Sequence, residues 1–302
     1  MFEIYEYLYE LLKETNVHGI VEFEVLNPDL FDSTYAGNLV TLEGNEYLYR
    51  GYKAWMDLAE TLFCKILTPK IVSKYHVLLQ FKKLDQNISF HHSCLEANEK
   101  YGENSEFSRI NKNEEPAFLQ AYKVALDFAK ISEKKRVLNL GINSGDEFAL
   151  ILQMYKNHKN IEFVGVDYCK SAILSAKRKF DFENMKFYAH DINELGQLNL
   201  GKFDAIITIG TLQSSSIDFK LTFMSLIQNY LEKNGSIILG FPNCRWLDGE
   251  MIYGAKMPNY SFSEMTLLYK DVYFCKKYLQ QKQFKVMITG KNYIFLSARS
   301  IH

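Results

Sequence analysis

Proline and glycine are scarce, at 5 and 16 of 302 residues, which excludes a fibrous or linker-dominated chain. Cysteine is scarce as well. Cys64, Cys94, Cys169, Cys244 and Cys275 are odd in number and form no Cys-x-x-Cys pair, so reduced thiols in a cytoplasmic protein are expected. Neither sign of charge dominates: 35 basic residues face 36 acidic ones, for a net charge of -1. That balance removes any global pull toward anionic lipid, and nucleic acid is not favoured by charge, although a local basic face leaves it open. No run approaches the roughly 20 apolar residues of a membrane span, and no membrane association is expected. The first residues, MFEIYEYLYELLKET, lack the basic start of a secretory signal.

Large apolar residues are abundant. The chain is 47% hydrophobic and 15% aromatic, enough for a full core and too much for a disordered state. Charge is uneven along it. Residues 1–50 hold ten acids against Lys13 and Arg50, whereas residues 131–302 hold 22 basic and 16 acidic side chains. The acidic end makes a poor nucleic-acid clamp.

From Arg136 onward, short β-branched runs alternate with amphipathic stretches. Strands are expected at 137–140, 163–166, 186–188, 205–209 and 236–239, and helices at 146–156, 171–180 and 221–231. This rhythm predicts βαβ units: a Rossmann-like, doubly wound, mostly parallel sheet. A helix over 263–281, with Met265, Leu268, Val272, Cys275 and Leu279 on one stripe, then leads to a C-terminal antiparallel hairpin, 285–289 with 293–298. The first 90 residues read as a separate α+β accessory domain. Helices are expected at 2–14 and 54–67, and strands at 20–26 and 76–84. A polar loop and a helix over 114–131, capped by Asn113, connect the two across 91–135, and 136–302 form the second domain.

Open parallel sheets bind ligands at the carboxyl ends of their strands. The first of these ends reads Asn139-Leu140-Gly141-Ile142-Asn143-Ser144-Gly145-Asp146, where glycines allow a sharp turn and a close approach. The second ends in Gly165-Val166-Asp167-Tyr168, an acid placed to accept two ribose hydroxyls. The third delivers Asp191 and Ile192, a carboxylate and an apolar residue for a base. The fourth ends in Thr208-Ile209-Gly210-Thr211.

These four pieces in this order resemble the class I S-adenosylmethionine-dependent methyltransferases, over roughly Arg136–His302. The family's first-strand motif is acid-x-Gly-x-Gly-x-Gly; here Asn139 stands at the acid, Gly141 and Gly145 at the outer glycines, and Asn143 at the middle one. The resemblance implies S-adenosylmethionine as cofactor. It implies that the loop of Asn139, Gly141, Asn143 and Gly145 holds the methionine part, Asp167 the ribose and Asp191 the adenine, with Tyr168, Ile192 and Ile209 alongside. An amide at 139 still accepts a hydrogen bond from an ammonium, without the strengthening charge. Asn143 tolerates left-handed backbone, which preserves the loop shape. The fourth tip is not Asn/Asp-Pro-Pro-Tyr/Phe, the family's mark of methylation at amide or exocyclic amino nitrogens, so such acceptors are not expected.

A dinucleotide oxidoreductase would need glycines at 141, 143 and 146, and two of the three are missing. Asp146 would also repel a pyrophosphate. No Gly-Lys-Ser/Thr follows, which excludes a phosphate-binding loop. His91, His92, Ser93 and Cys94 lack a second ligand pair, so no metal is expected. The segment 241–260 shows no periodicity and is unusually long for a connection, so a lid over the methyl acceptor is expected. Arg245, Asp248 and Glu250 would orient that acceptor, and Trp246, Tyr253 and Tyr260 would exclude water. No catalytic residue is assigned; His190, Glu250 and Tyr253 are candidate bases. Two functions remain in play: transfer of a methyl group to a small-molecule or macromolecular acceptor, or non-catalytic cofactor binding or partner interaction on the same fold.

Overall fold

The computed structural model describes residues 1–89, 99–255 and 263–301. It divides into two compact units, Met1–Ser89 with Trp246–Ile252, and Phe90–Arg245 with Tyr253–His302. The expected first domain thus gains a second segment from far along the chain.

The first unit contains α1 (Phe2–Glu14), β1 (Ile20–Leu26), the hairpin β2 (Leu39–Leu42) and β3 (Asn45–Leu48), α2 (Tyr52–Thr61), β4 (Cys64–Ile66), β5 (Lys70–Ile71) and β6 (His76–Lys83). Strand β6 pairs antiparallel with β1, β4 and β5. Its alternation places Val77, Leu79 and Phe81 on one face, packed with Leu8 and Leu12 of α1 and Trp55 and Leu58 of α2. The helix expected over 54–67 stops at Thr61. Phe63 turns left-handed at φ 54, and Cys64–Ile66 joins β6 as a strand. Tertiary pairing overrides an apolar pattern that also suits a helix.

The second unit opens with α3 (Pro116–Phe128), shorter than the expected 114–131. Pro116 occupies its first turn, and Asn113 lies instead in a preceding 3₁₀ turn. There follow β7 (Arg136–Leu140), α4 (Asp146–Met154), β8 (Glu162–Asp167), α5 (Lys170–Lys179), β9 (Met185–Ala189), β10 (Phe203–Ile209), α6 (Phe219–Ser225) and β11 (Leu231–Pro242). A two-stranded hairpin, β12 (Cys244–Leu247) and β13 (Glu250–Tyr253), whose residues 246–252 belong to the first unit, precedes α7 (Thr266–Gln281), β14 (Phe284–Gly290) and β15 (Tyr293–Ser300).

Seven strands form one sheet in the order β14-β15-β11-β10-β7-β8-β9. The five from β11 to β9 run parallel, and β15 and β14 run antiparallel at the edge. The doubly wound expectation holds. Val137, Leu138, Leu140, Phe163, Ile206 and Ile207 are all fully or nearly fully buried, which explains why these strands read as continuous apolar runs. Each such side chain contributes about 1.5–3 kcal/mol when withdrawn from water. Strand β15 divides its side chains by parity. Phe295 stacks on Tyr122 of α3, while Leu296 and Ala298 share a cluster with Cys275 and Leu279 of α7. The sheet order reverses between β7 and β10, and that reversal opens the crevice in which such sheets take ligands.

Candidate functional site

The crevice is built from the β7 and β10 tips. Beyond Leu140 the chain turns through three left-handed residues, Gly141 (φ 73), Asn143 (φ 47) and Gly145 (φ 89), before α4 begins. A Cβ on Gly141 would collide with the Thr211 side chain, and one on Gly145 with the Phe180 ring. Both positions therefore require glycine for space as well as for φ. Thr211, just past β10, donates its hydroxyl to the Leu140 carbonyl at 3.2 Å across the crevice.

Asp167 ends β8 beside this loop. Its Oδ2 accepts the Asn143 N–H at 2.8 Å and its Oδ1 accepts the Cys169 N–H at 2.9 Å. Burial pushes this carboxyl above the ordinary aspartate value, and those two backbone amides oppose the rise. Each oxygen keeps a second lone pair, so the carboxylate retains capacity for two hydroxyl donors. Tyr168, next along, is well exposed.

The remaining expected cofactor residues fall differently. Asp191 caps a 3₁₀ turn by accepting the Asn193 N–H at 2.8 Å. Ile192 packs in the large cluster with Leu195, and Ile209 is likewise buried. Asn139 is 1% exposed, and neither its oxygen nor its nitrogen has a hydrogen-bond partner. A buried amide lacking both partners is rare in a folded protein and marks a place where a ligand or water belongs. Two glycine bends, one carboxylate with spare acceptor capacity and one unpaired amide fit an amino-acid nucleoside such as S-adenosylmethionine. They do not fit a dinucleotide. Asp146 and Glu147 occupy the first turn of α4, where a pyrophosphate would need to lie.

Where the sequence predicts an irregular lid over 241–260, the described residues 241–255 are mostly strand. Residues 241 and 242 extend β11, and 244–253 form the β12–β13 hairpin, turned by Asp248 (φ 48) and Gly249 (φ 81). Two left-handed residues at a two-residue turn suit the right-handed twist of a hairpin, and an Asp-Gly pair supplies them. Arg245 Nη1 donates to the Gly254 carbonyl at 2.7 Å and to that of Tyr253 at 3.2 Å, bracing the hairpin base. The tip, with Trp246, belongs to the first unit. There Glu250 is ion-paired with Lys65, and Asp248 meets His18 at 2.6 Å and accepts the Asp85 N–H. Tyr253 donates to the Met265 sulfur. Of the candidate bases, His190 pairs its ring with the Glu194 carbonyl beyond the edge strand β9, whereas Tyr253 lies in the separate β12–β13 hairpin. Tyr260 and the His91–Cys94 group lie outside the described residues.

Three features near the loop have no signature in the local sequence. Lys112 and Glu147 form a buried ion pair at 3.0 Å. Tyr101 gives its carbonyl to the Asn143 side-chain nitrogen at 2.6 Å. Tyr293, from the first residue of β15, is buried, and its phenol is pushed up to about 12 by that burial. An isolated lysine or tyrosine in a polar stretch looks like surface until the chain folds around it.

The sheet order, the crevice and the loop define the class I methyltransferase architecture. A family model described as a methyltransferase domain matches residues 131–290, more than half of the chain. The chain belongs to that methyltransferase family. Similar solved structures include a ribosomal protein L11 methylase from Lactobacillus delbrueckii subsp. bulgaricus (14% identity, 61% of this chain and 79% of that one, TM-score 0.39). Another is a 1,6-didemethyltoxoflavin-N1-methyltransferase from Burkholderia thailandensis with S-adenosylhomocysteine bound (17% identity, 65% and 82%, TM-score 0.41). A third is a precorrin-6y C5,15-methyltransferase from Geobacter metallireducens (12% identity, 59% and 87%, TM-score 0.40). No curated protein matches the chain. Among the described residues, no helix is long and apolar enough to cross a membrane.

Proposed function

We propose that this protein transfers the methyl group of S-adenosylmethionine to a nucleophilic acceptor, either a small molecule or a macromolecule. One observation carries the assignment of the cofactor site: the Asp167 carboxylate is tied to the Asn143 amide at 2.8 Å, joining the β8 tip to the glycine-bent loop at the switch point of the sheet. In this reading Gly141 and Gly145 bring backbone close to the methionine part, and the unpaired Asn139 amide offers its oxygen on that side of the site. Asp167 accepts the ribose hydroxyls. Tyr168 and Asp191 border the adenine, with Ile192 and Ile209 as the apolar floor.

A sulfonium methyl leaves neutral sulfur behind, so the cofactor supplies an activated carbon that needs little acid–base help. What the chain supplies is orientation. Holding the acceptor in line with the breaking bond accounts for much of the rate, and a base matters only for an acceptor that must lose its proton in the transition state. Among the acceptor candidates, Arg245 braces the hairpin base and Glu250 pairs with Lys65, while Tyr253, bonded to Met265, keeps an exposed ring. In this reading the exposed ring of Tyr253 meets the acceptor.

Thermal unfolding with added ligands tests the cofactor. S-adenosylmethionine and S-adenosylhomocysteine are expected to raise the melting temperature and NAD(H) to leave it unchanged, because a ligand selective for the native state stabilises it. No shift with either sulfur ligand at millimolar concentration would defeat the assignment. Incubation with methyl-labelled cofactor and fractions of small molecules, RNA and protein then reads transfer. Label in any fraction excludes a purely binding role.

A further inference from the structure

Residues 99–115 form a strap fastened to three places around the loop, all within the second unit. At the loop itself, Asn143 Nδ2 donates to the Tyr101 carbonyl at 2.6 Å. At the start of α5, Ser171 Oγ accepts the Glu103 N–H at 3.0 Å and donates to Glu99 Oε2 at 2.5 Å. Arg178, in the last turn of α5, pairs with Glu103. At the start of α4, Asn113 Nδ2 donates to the Asp146 carbonyl at 2.8 Å and Lys112 pairs with Glu147. Gly102 packs so closely on Ser171 and Cys169 that a Cβ there would collide with them. The helices so pinned follow the two strands whose tips carry the loop and Asp167. Asn143 joins the strap to the proposed ribose site, its side chain bonded to Tyr101 and its backbone N–H to Asp167, and burial followed by the Asp167 charge raises the Tyr101 phenol.

Asn143 stands where the family motif has glycine. At φ 47 a glycine would hold the same turn with less strain, so the loop conformation does not explain an asparagine. The side chain has another use. Its oxygen accepts the Ser144 N–H at 2.8 Å, which fixes the amide so that its nitrogen faces the strap.

We propose that Asn143 is a positioning residue that fastens the 99–115 strap over the cofactor loop and so retains the cofactor, a role that rests on the reading above. The departure from the motif is then a gain of closure and not a loss of function.

The test is Asn143→Gly, which restores the family residue. The variant is expected to fold, since glycine's ease in the left-handed position partly offsets the lost side-chain hydrogen bonds. It is expected to release S-adenosylhomocysteine about five- to tenfold faster, the consequence of losing one well-formed hydrogen bond. KM for S-adenosylmethionine should rise without a fall in kcat, and amides 99–105 should exchange hydrogen faster in the ligand-bound protein. Ser171→Ala, which cuts the strap at α5 without touching the loop, is expected to move the dissociation rate the same way. A purely structural asparagine would leave these readouts unchanged or improve them. Wild type that binds the ligand, with Asn143→Gly releasing it no faster, overturns this inference alone. Wild type that binds neither sulfur ligand overturns the functional reading and this inference together.

Discussion

Replacing Lys112 with methionine is expected to destabilise the second unit by about 3–5 kcal/mol, the usual effect of leaving one buried charge without its partner. The Lys112 side chain is 11% exposed and that of Glu147 is 4%, so solvent screens the pair little. Three rings, of Phe107, Phe118 and Tyr293, surround the ammonium at 5.7–6.0 Å from their centres. Methionine fits such an apolar cage, which isolates the charge effect from packing. Burial works against the ammonium, but the Glu147 carboxylate outweighs it and holds Lys112 above the ordinary lysine value. A cation raised in the folded state stabilises fully below its unfolded pKa and loses that contribution only as pH climbs through the raised value. The wild-type pair is therefore intact across neutral pH and contributes in full there. Urea unfolding measures the deficit. Glu147→Gln should cost a comparable amount, and Lys112→Met with Glu147→Leu should recover most of it, because removing both charges is close to neutral. A single-variant loss under about 1 kcal/mol would show that the pair is hydrated in solution.

Asp167→Ala is expected to weaken S-adenosylhomocysteine binding by about 1–3 kcal/mol, or roughly 5- to 150-fold. Part of that loss reaches the apo protein, because the Asn143 and Cys169 amides lose their acceptor. Asp167→Asn separates the two effects. It keeps one oxygen for the backbone and loses the charge that draws hydroxyl donors. The pH profile is the sharper measurement. Burial raises this carboxyl in the free protein, and hydroxyls donating to the carboxylate favour its ionised form. Binding should therefore weaken as pH falls through the raised value, while Asp167→Asn should give a flat profile over the same range. Calorimetry with equal affinity for wild type and Asp167→Ala would reduce Asp167 to a cap on the turn into α5.

Much of the second unit was legible because its signals are local. The apolar runs of β7, β8 and β10 lie between amphipathic helices, and every expected strand there appears within a few residues of its predicted place. The loop was legible for the same reason, since left-handed turns need Gly or Asn whatever surrounds them. Asp167 was found by its place at a strand tip. Where a pattern suited two structures, sequence reasoning failed. Residues 64–66 carry apolar residues compatible with helix or strand, and only pairing with β6 decides between them.

By itself the sequence determined the doubly wound sheet, the position of its crevice and the glycine-bent loop beside an acid. Each depends on neighbours within a few residues, through periodicity, turn chemistry and strand-tip placement. The tertiary structure alone decided that residues 246–252 join the first unit, through Lys65–Glu250 and His18–Asp248, contacts spanning 185 and 230 residues. It alone decided that Lys112 is a buried partner of Glu147 and that the Asn143 side chain is spent on Tyr101. No periodicity records these contacts, because each partner takes its meaning from a residue that only folding brings within hydrogen-bonding distance.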